Sequence, residues 1–184
     1  MTLKKIATCL ILLSNILLVS AQQYYTESGV TEFDGSKAAF EPIKAKNKSS
    51  VSIFDSNTGG IAAVISIDEF EFRLGLMQEH FNENYLDSYK YPKSTFEGTI
   101  ENYENIKLVD SFTDISIRGV LTIKGVSNDI FAKGFIKKID DKIELKSSFS
   151  VKLSDYNVKI PRIVFKKIDE EVKIKLNYSY AKKE

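Results

Sequence analysis

The feature that most constrains this chain is a single helix-like segment, residues 74–92, set among runs that alternate like β-strands. Met77, Phe81 and Tyr85 are spaced four residues apart, and Leu74 stands three before Met77. About 100° of rotation per residue places all four on one apolar stripe. Four polar residues fall on the opposite side and are expected to face water: Gln78, Glu79, Asn82 and Glu83. A short helix with one apolar stripe must pack against something, so we predict that residues 74–85 cap the open end of a β-barrel.

The first 21 residues have the pattern of a cleavable signal peptide. Lys4 and Lys5 form a positive start, residues 6–19 are an apolar run too short to span a bilayer, and Ala21 ends a small-residue cleavage site. A lipid anchor at Cys9 is disfavoured, because the apolar run continues beyond it. We therefore expect a signal peptide over residues 1–21, one domain over residues 22–184, and a secreted or periplasmic protein.

Charge and cysteine content exclude some classes of partner and of stabilisation. Removal of Lys4 and Lys5 with the signal peptide takes 26 basic residues to 24, against 25 acidic residues. A nearly neutral chain lacks the basic face that a nucleic-acid partner would require. The only cysteine, Cys9, is also removed, so the mature chain must be stabilised by its core without disulfides.

After residue 22 the sequence consists of short alternating runs broken by turn residues, which is typical of one all-β domain. The alternating runs from which we predict the strands are residues 24–28, 30–34, 43–47, 51–55, 61–67, 95–100, 115–123, 130–136, 143–153 and 172–180. Turns are predicted at residues 125–129 and at Asp140-Asp141. Roughly eight or nine strands joined by short hairpins favour an antiparallel meander.

A meander of that size closes into a barrel, and about eight strands enclose just enough space for side chains or for one small ligand. The residues expected to point inward include large ones, among them Phe112, Leu121 and Phe149. They also include small ones: Ala63, Gly98, Gly119, Ala132, Gly134 and Ser147. The small residues either leave room for a ligand or relieve crowding at strand bends, and the sequence leaves both readings open.

Three segments carry a family resemblance: LMQEHFNENYLDSYKYPKSTFEG at residues 76–98, GVLTIKGVSNDI at 119–130 and SDYNVKIP at 154–161. In this order they resemble the YceI-like family of exported bacterial proteins, over essentially the whole mature chain. The resemblance implies an eight-stranded antiparallel barrel of lipocalin type, with a helix near one end and an elongated apolar cavity. It also implies binding of polyisoprenoids or other long-chain amphiphiles, without catalytic activity. The chain has Asn157 where the family usually has glycine, and asparagine tolerates the left-handed backbone of such a turn.

On this basis we predict a ligand site with an apolar wall and a polar mouth. The apolar wall is predicted at Phe72, Leu76, Met77, Phe81, Tyr85, Phe112, Leu121 and Phe149. The polar mouth is predicted at His80, Asn84 and Tyr91, where a side chain either meets a headgroup or hydrogen-bonds a nearby strand carbonyl. A buried chain gains about 0.8 kcal/mol per CH₂, so affinity can come from chain length alone.

Catalytic and metal chemistry find little support in the sequence. His80 is the only histidine, which leaves too few ligands for a transition-metal site, and no cofactor is predicted. Glu79 points about 100° away from its neighbour His80 on a helix, so the two cannot share a substrate. No serine or cysteine lies in a nucleophile-elbow context, and no glycine-rich phosphate loop follows a strand.

The leading interpretation is a non-enzymatic protein that binds, transports or sequesters a polyisoprenoid or other long-chain amphiphile in the cell envelope. The main alternative is a barrel with a filled core that acts as a protein-interaction or structural module. An enzyme that uses His80 is a weaker rival. A homodimer is compatible with the sequence.

Overall fold

The computed structural model describes residues 22–37, 40–162 and 166–183. The predicted signal peptide, residues 1–21, lies outside the described residues. The described residues form nine strands: β1 (Gln23–Ser36), β2 (Lys44–Asp55), β3 (Gly60–Ser66), β4 (Glu71–Phe72), β5 (Lys93–Ile100), β6 (Thr113–Ile123), β7 (Val126–Ile139), β8 (Lys142–Lys152) and β9 (Ile168–Lys182). None of the helices in this part of the chain has the length and hydropathy that a bilayer crossing requires.

Eight of these strands close into an antiparallel barrel, as predicted. The order around the barrel is β1-β2-β3-β5-β6-β7-β8-β9, and β9 pairs with β1 to close it. The two-residue strand β4 continues the line of β3 along β2, through the pairs Ala45↔Phe72 and Lys46↔Glu71. Closure removes the unpaired strand edges of an open sheet, so the long strands have hydrogen-bonding neighbours on both sides.

The two ends of the barrel, which we call the floor and the lid end, are covered differently. At the floor, a 3-10 turn (Tyr103–Asn105) between β5 and β6 carries Tyr103 against Phe54, with ring centroids 5.9 Å apart. The Tyr103 hydroxyl donates a hydrogen bond of 2.9 Å to the backbone oxygen of Ser56. The lid end carries the predicted helix and a second 3-10 turn (Leu153–Tyr156) between β8 and β9.

The helix predicted over residues 74–85 is present but changes geometry midway. It begins as α1 (Gly75–His80) and continues as a π-helix (Phe81–Tyr85). The wider turn is closed by a 2.9 Å hydrogen bond from the Leu86 amide to the Phe81 carbonyl. Asn82 lies in the π-helical turn, and its side-chain oxygen is buried, whereas helical spacing predicted that this residue would face water.

The strands also differ from the predicted ones in extent. Residues 24–28 and 30–34 belong to one strand, β1, which absorbs Gly29 as an irregularity in its pairing. The turn predicted at residues 125–129 lies at Lys124 and Gly125, and β7 begins at Val126. Both turn residues have positive φ, 51° and 75°, which is what a two-residue hairpin with the twist of its strands requires.

Candidate ligand-binding site

An apolar cavity of about 460 Å³ lies inside the barrel. This volume is within the roughly 300–1,000 Å³ of pockets that bind drug-sized molecules. The wall consists mainly of aliphatic and aromatic side chains that point inward from the strands, because alternate residues of a strand face the same side. Representative wall residues are Ile61, Ile65, Phe96, Ile117, Leu121, Leu145, Phe149 and Leu176.

Small side chains contribute to this space, but two of the glycines that were predicted to point inward, Gly98 and Gly119, do not line it. Ala63, Ala132 and Ser147 line the cavity. Gly98 and Gly119 face each other across β5 and β6, and the tip of the Phe96 ring lies over both. A Cβ atom added at Gly98 would lie 2.4 Å from the Arg118 carbonyl oxygen. These two glycines therefore permit the close approach of β5 and β6 and make room for the Phe96 ring.

The second half of the lid helix is anchored by aromatic packing. The Phe81 ring stacks on Phe33 at 5.3 Å between centroids and contacts Phe70 and Phe72 at 5.5 and 5.0 Å. Lys124, in the turn between β6 and β7, donates a 2.7 Å hydrogen bond to the carbonyl of Tyr85. This end of the lid is held to the barrel by both apolar and polar contacts.

The first half of the lid borders the opening of the cavity. Leu74 and Leu76 line the cavity, yet their side chains are 40% and 60% exposed. Glu41, His80 and Lys167 also line it, and they too are exposed. The opening therefore lies between the start of the helix, the β1–β2 connection and the segment before β9.

Most polar groups that face the interior already have partners. The Thr31 hydroxyl is 2.8 Å from the Ser50 hydroxyl and 2.9 Å from the Tyr178 hydroxyl. Ser94 and Ser147 donate to the backbone carbonyls of Thr122 and Lys133 at 2.7 and 2.9 Å. Burial raises the pKa of Tyr178, although its hydrogen bonds oppose the shift. These hydroxyls are occupied in cross-strand contacts, so they serve the barrel wall.

Tyr156 is the exception among the buried polar side chains that line the cavity in the described part of the chain. Its side chain is 2% exposed, and its hydroxyl has no hydrogen-bond partner among the described residues. The side-chain nitrogen of its neighbour Asn128 is directed to the Asp155 carbonyl at 2.8 Å. Burial raises the pKa of the Tyr156 hydroxyl, although the side chain of Asn128 opposes the shift. The geometry leaves this hydroxyl without a hydrogen bond that a polar atom of a ligand could supply.

The structure brings eight of the eleven predicted site residues to the cavity. They are Phe72, Leu76, Met77, His80, Phe81, Tyr85, Leu121 and Phe149. Asn84 is exposed on the lid, and Tyr91 packs its ring against Gly125, whose missing side chain makes room for it. Both residues come after the first half of the helix, and it is the first half that borders the opening.

Phe112 lies on the outer surface, although it was predicted to point inward. Its side chain is 39% exposed, and its ring packs edge-on against Phe135 at 6.4 Å. The ammonium groups of Lys137 and Lys146 are each 4.6 Å from the ring centroid. Phe112 precedes β6, which begins at Thr113, so the alternation of that strand does not determine where its ring points.

Glu41, Lys167 and Tyr156 line the cavity without having been predicted to do so. Glu41 and Lys167 lie in connections, where no periodic pattern indicates direction. Tyr156 belongs to the SDYNVKIP segment, which carries part of the family resemblance but does not indicate where its side chains point. No group of three or more His, Cys, Asp or Glu side chains in the described part of the chain is arranged to hold a metal ion.

The comparison with known proteins agrees with this architecture. The family model of the YceI-like domain matches residues 19–180. No curated protein sequence matches the chain significantly.

Several solved structures share the fold. A polyisoprenoid-binding domain from Saccharophagus degradans, implicated in plant cell wall breakdown, is 13% identical with a TM-score of 0.75, covering 89% of this chain and 99% of its own. BcnA of Burkholderia cenocepacia is 19% identical with a TM-score of 0.67, covering 83% and 96%. The YceI protein of Campylobacter jejuni is 19% identical with a TM-score of 0.59, covering 80% and 89%. At these identities the likeness concerns the fold.

Proposed function

The chain belongs to the YceI-like family, and on that premise we propose that it binds one polyisoprenoid or other long-chain amphiphile inside its barrel. The observation that carries the proposal is the open apolar cavity of about 460 Å³. The description of the Saccharophagus degradans domain as polyisoprenoid-binding supports the same class of ligand.

Burial of the hydrocarbon chain supplies the affinity in this proposal. Each buried CH₂ contributes about 0.8 kcal/mol, so ten buried carbons contribute on the order of 8 kcal/mol before ordering costs. Because Ser94, Ser147 and Thr31 are engaged in hydrogen bonds within the wall, the ligand is held mainly by apolar contact. The predicted wall residues that line the cavity, including Met77, Phe81 and Phe149, make that contact.

The lid helix admits the chain at its first half and retains it at its second half. Leu74 and Leu76 are exposed at the opening, whereas Phe81 is packed among Phe33, Phe70 and Phe72. The tail enters past the exposed leucines and extends toward the floor, which Tyr103 covers. His80 and Tyr156 both line the cavity, and in this proposal they meet the polar end of the ligand.

The role that fits this geometry is transport or sequestration of the amphiphile without catalysis. In this proposal the protein is secreted or periplasmic and is exported by the predicted signal peptide. The interior hydroxyls of Ser94 and Ser147 bond to backbone carbonyls, which is not the hydroxyl–base pairing of an activated nucleophile. The open cavity argues against the alternative of a filled core. An enzyme that uses His80 would require His80→Ala to abolish turnover of a substrate.

The experiment is to extract natively purified protein with organic solvent and to identify bound lipid by mass spectrometry. Ala63→Phe fills the cavity from a position that lines it, and Ala62→Phe places the same ring on the outer surface of the same strand. We expect a co-purified long-chain amphiphile with wild type and Ala62→Phe, and a large loss with Ala63→Phe. A protein that is empty and takes up no added prenyl or fatty amphiphile would overturn the proposal.

A further inference from the structure

Exposed apolar side chains lie at the opening of the cavity or next in sequence to a residue that lines it. Leu76 and Leu74 are 60% and 40% exposed, and Phe40, adjacent in sequence to the lining residue Glu41, is 44% exposed. We call these three residues the apolar rim. Two of the three are continuous with the cavity wall, so the apolar surface extends from the interior to the outside of the protein.

Unpaired cations lie on the segment that borders the same opening. Lys159, Arg162, Lys166 and Lys167 are exposed, and no acidic residue occurs among the described residues between Asn157 and Ile168. None of the four forms an ion pair with a described residue. Val158 and Lys167 both line the cavity, so Lys159 and Lys166, which are next to them in sequence, lie at the lid end. The acidic residues that follow, Asp169, Glu170 and Glu171, lie on β9 and form no ion pair with these four cations.

We propose that the apolar rim and these four cations dock the protein on an anionic phospholipid bilayer. The cations contact the lipid headgroups, while Phe40, Leu74 and Leu76 insert among them, as apolar and basic groups do at membrane surfaces. Docking in this orientation places the opening against the bilayer, so a hydrocarbon chain passes into the barrel without crossing water. The inference rests on the proposed function, since it names where the ligand is taken up or delivered.

One other partner for this surface, and one other docking surface, fit the observations less well. A second copy docked rim to rim would bring the two sets of cations together, which is unfavourable. The exposed rings of Phe131 and Phe135, 50% and 48% exposed, form another apolar surface on β7. Both residues point outward from the barrel wall, so docking there would provide no path to the cavity.

Vesicle flotation tests the docking. The probes are phosphatidylcholine vesicles with and without phosphatidylglycerol, and the protein is the full mature chain. We expect wild type to float with the anionic vesicles and much less with pure phosphatidylcholine. Replacing Lys159, Arg162 and Lys166 together by Gln should weaken binding by roughly ten- to a hundredfold. Phe40→Asp should weaken it strongly, whereas Phe131→Asp, the same change on the outer wall, should leave it unchanged.

A separate titration of a fluorescent prenyl probe in vesicle-free solution distinguishes docking from ligand binding. Neither Phe40 nor the three substituted cations line the cavity, so these variants should keep the wild-type affinity for the probe. Uptake of the probe by wild type that does not float would overturn the docking and leave the proposed function intact. Flotation without uptake of the probe would overturn the proposed function alone.

Three further results would overturn the docking proposal. The first is flotation that is indifferent to phosphatidylglycerol. The second is equal loss with Phe131→Asp and with Phe40→Asp. The third is a dimer that Phe40→Asp dissociates, in a protein that does not float.

Discussion

At the scale of single residues, two buried tyrosines of the barrel interior differ in one respect. The Tyr178 hydroxyl is 2.9 Å from the Thr31 hydroxyl, whereas the Tyr156 hydroxyl has no partner among the described residues. A buried hydroxyl without a partner costs about 1–3 kcal/mol. Tyr156 therefore makes little contribution to stability through this group, and a ligand atom that accepts or donates a hydrogen bond there would recover the cost.

The pair Tyr156→Phe and Tyr178→Phe tests this difference. We expect Tyr156→Phe to leave the free energy of unfolding unchanged or raise it by about 1 kcal/mol, and Tyr178→Phe to lower it by about 1 kcal/mol. Tyr156→Phe should also reduce the affinity for a prenyl alcohol relative to the matching hydrocarbon. Denaturant unfolding and ligand titration measure the two effects. An equal loss of stability in both variants would contradict the assignment.

The raised pKa of Tyr103 leads to a prediction of how the free energy of unfolding changes at alkaline pH. Its burial, reinforced by the nearby Asp55 and Tyr24, raises its pKa to about 12. An unfolded tyrosine loses its proton near pH 10, so between pH 10 and 12 the unfolded state binds fewer protons than the folded state. Stability is then present below pH 10 and declines as the pH rises.

The expected result is a free energy of unfolding that falls above pH 10, with a shallower fall in Tyr103→Phe. Tyr89→Phe is the control, since that side chain is 100% exposed. The other tyrosines whose pKa values burial raises, namely Tyr85, Tyr156, Tyr178 and Tyr180, contribute to the decline that remains. Urea titrations across this pH range measure the slopes, and identical slopes in wild type and Tyr103→Phe would contradict the reasoning.

At the scale of elements, two glycines in different settings give opposite expectations. Gly98 in β5 has no room for a Cβ atom, because the Arg118 oxygen lies 2.4 Å away and the tip of the Phe96 ring 2.5 Å away. Gly75, at the start of α1, has no heavy atom within 4 Å of that position. The difference concerns the packing of β5 on β6 and not the backbone preference of glycine.

Gly98→Ala should therefore lower the free energy of unfolding by about 1–3 kcal/mol, as overpacking does. Gly75→Ala should leave it unchanged or raise it by up to about 1 kcal/mol, since alanine favours the helix. Chemical denaturation of the two variants beside wild type provides the test. A tolerated Gly98→Ala would mean that β5 and β6 separate more easily than their contacts indicate.

The elements also show what periodicity predicts and what it does not. The spacing of Leu74, Met77, Phe81 and Tyr85 predicted a helix, and the helix is present. The same spacing did not predict the π-turn that contains Asn82 or the packing of Phe81 on Phe33, which is a tertiary contact between residues far apart in sequence. Phe112 was misplaced for a related reason, since it lies just outside β6, where alternation no longer indicates direction.

At the scale of the whole molecule, the sequence was sufficient to predict the barrel but not the position of its opening. The alternation of the strands and the resemblance at residues 76–98, 119–130 and 154–161 were sufficient to predict a closed antiparallel barrel with a helix at one end. The location of the opening was not predictable, because it depends on connections that include Glu41 and Lys167. Connections carry no periodic pattern, and only the assembled barrel brings them together.

The most direct test is the affinity of the purified protein for a homologous series of linear alcohols of increasing chain length. If the chain is buried in the cavity, each added methylene should raise the affinity about fourfold, from about 0.8 kcal/mol per CH₂. The increase should stop when the cavity is full, and it should stop at a shorter chain in Ala63→Phe but not in Ala62→Phe. An affinity that does not depend on chain length, or that stops rising at the same length in all three proteins, would contradict burial of a ligand chain in the barrel.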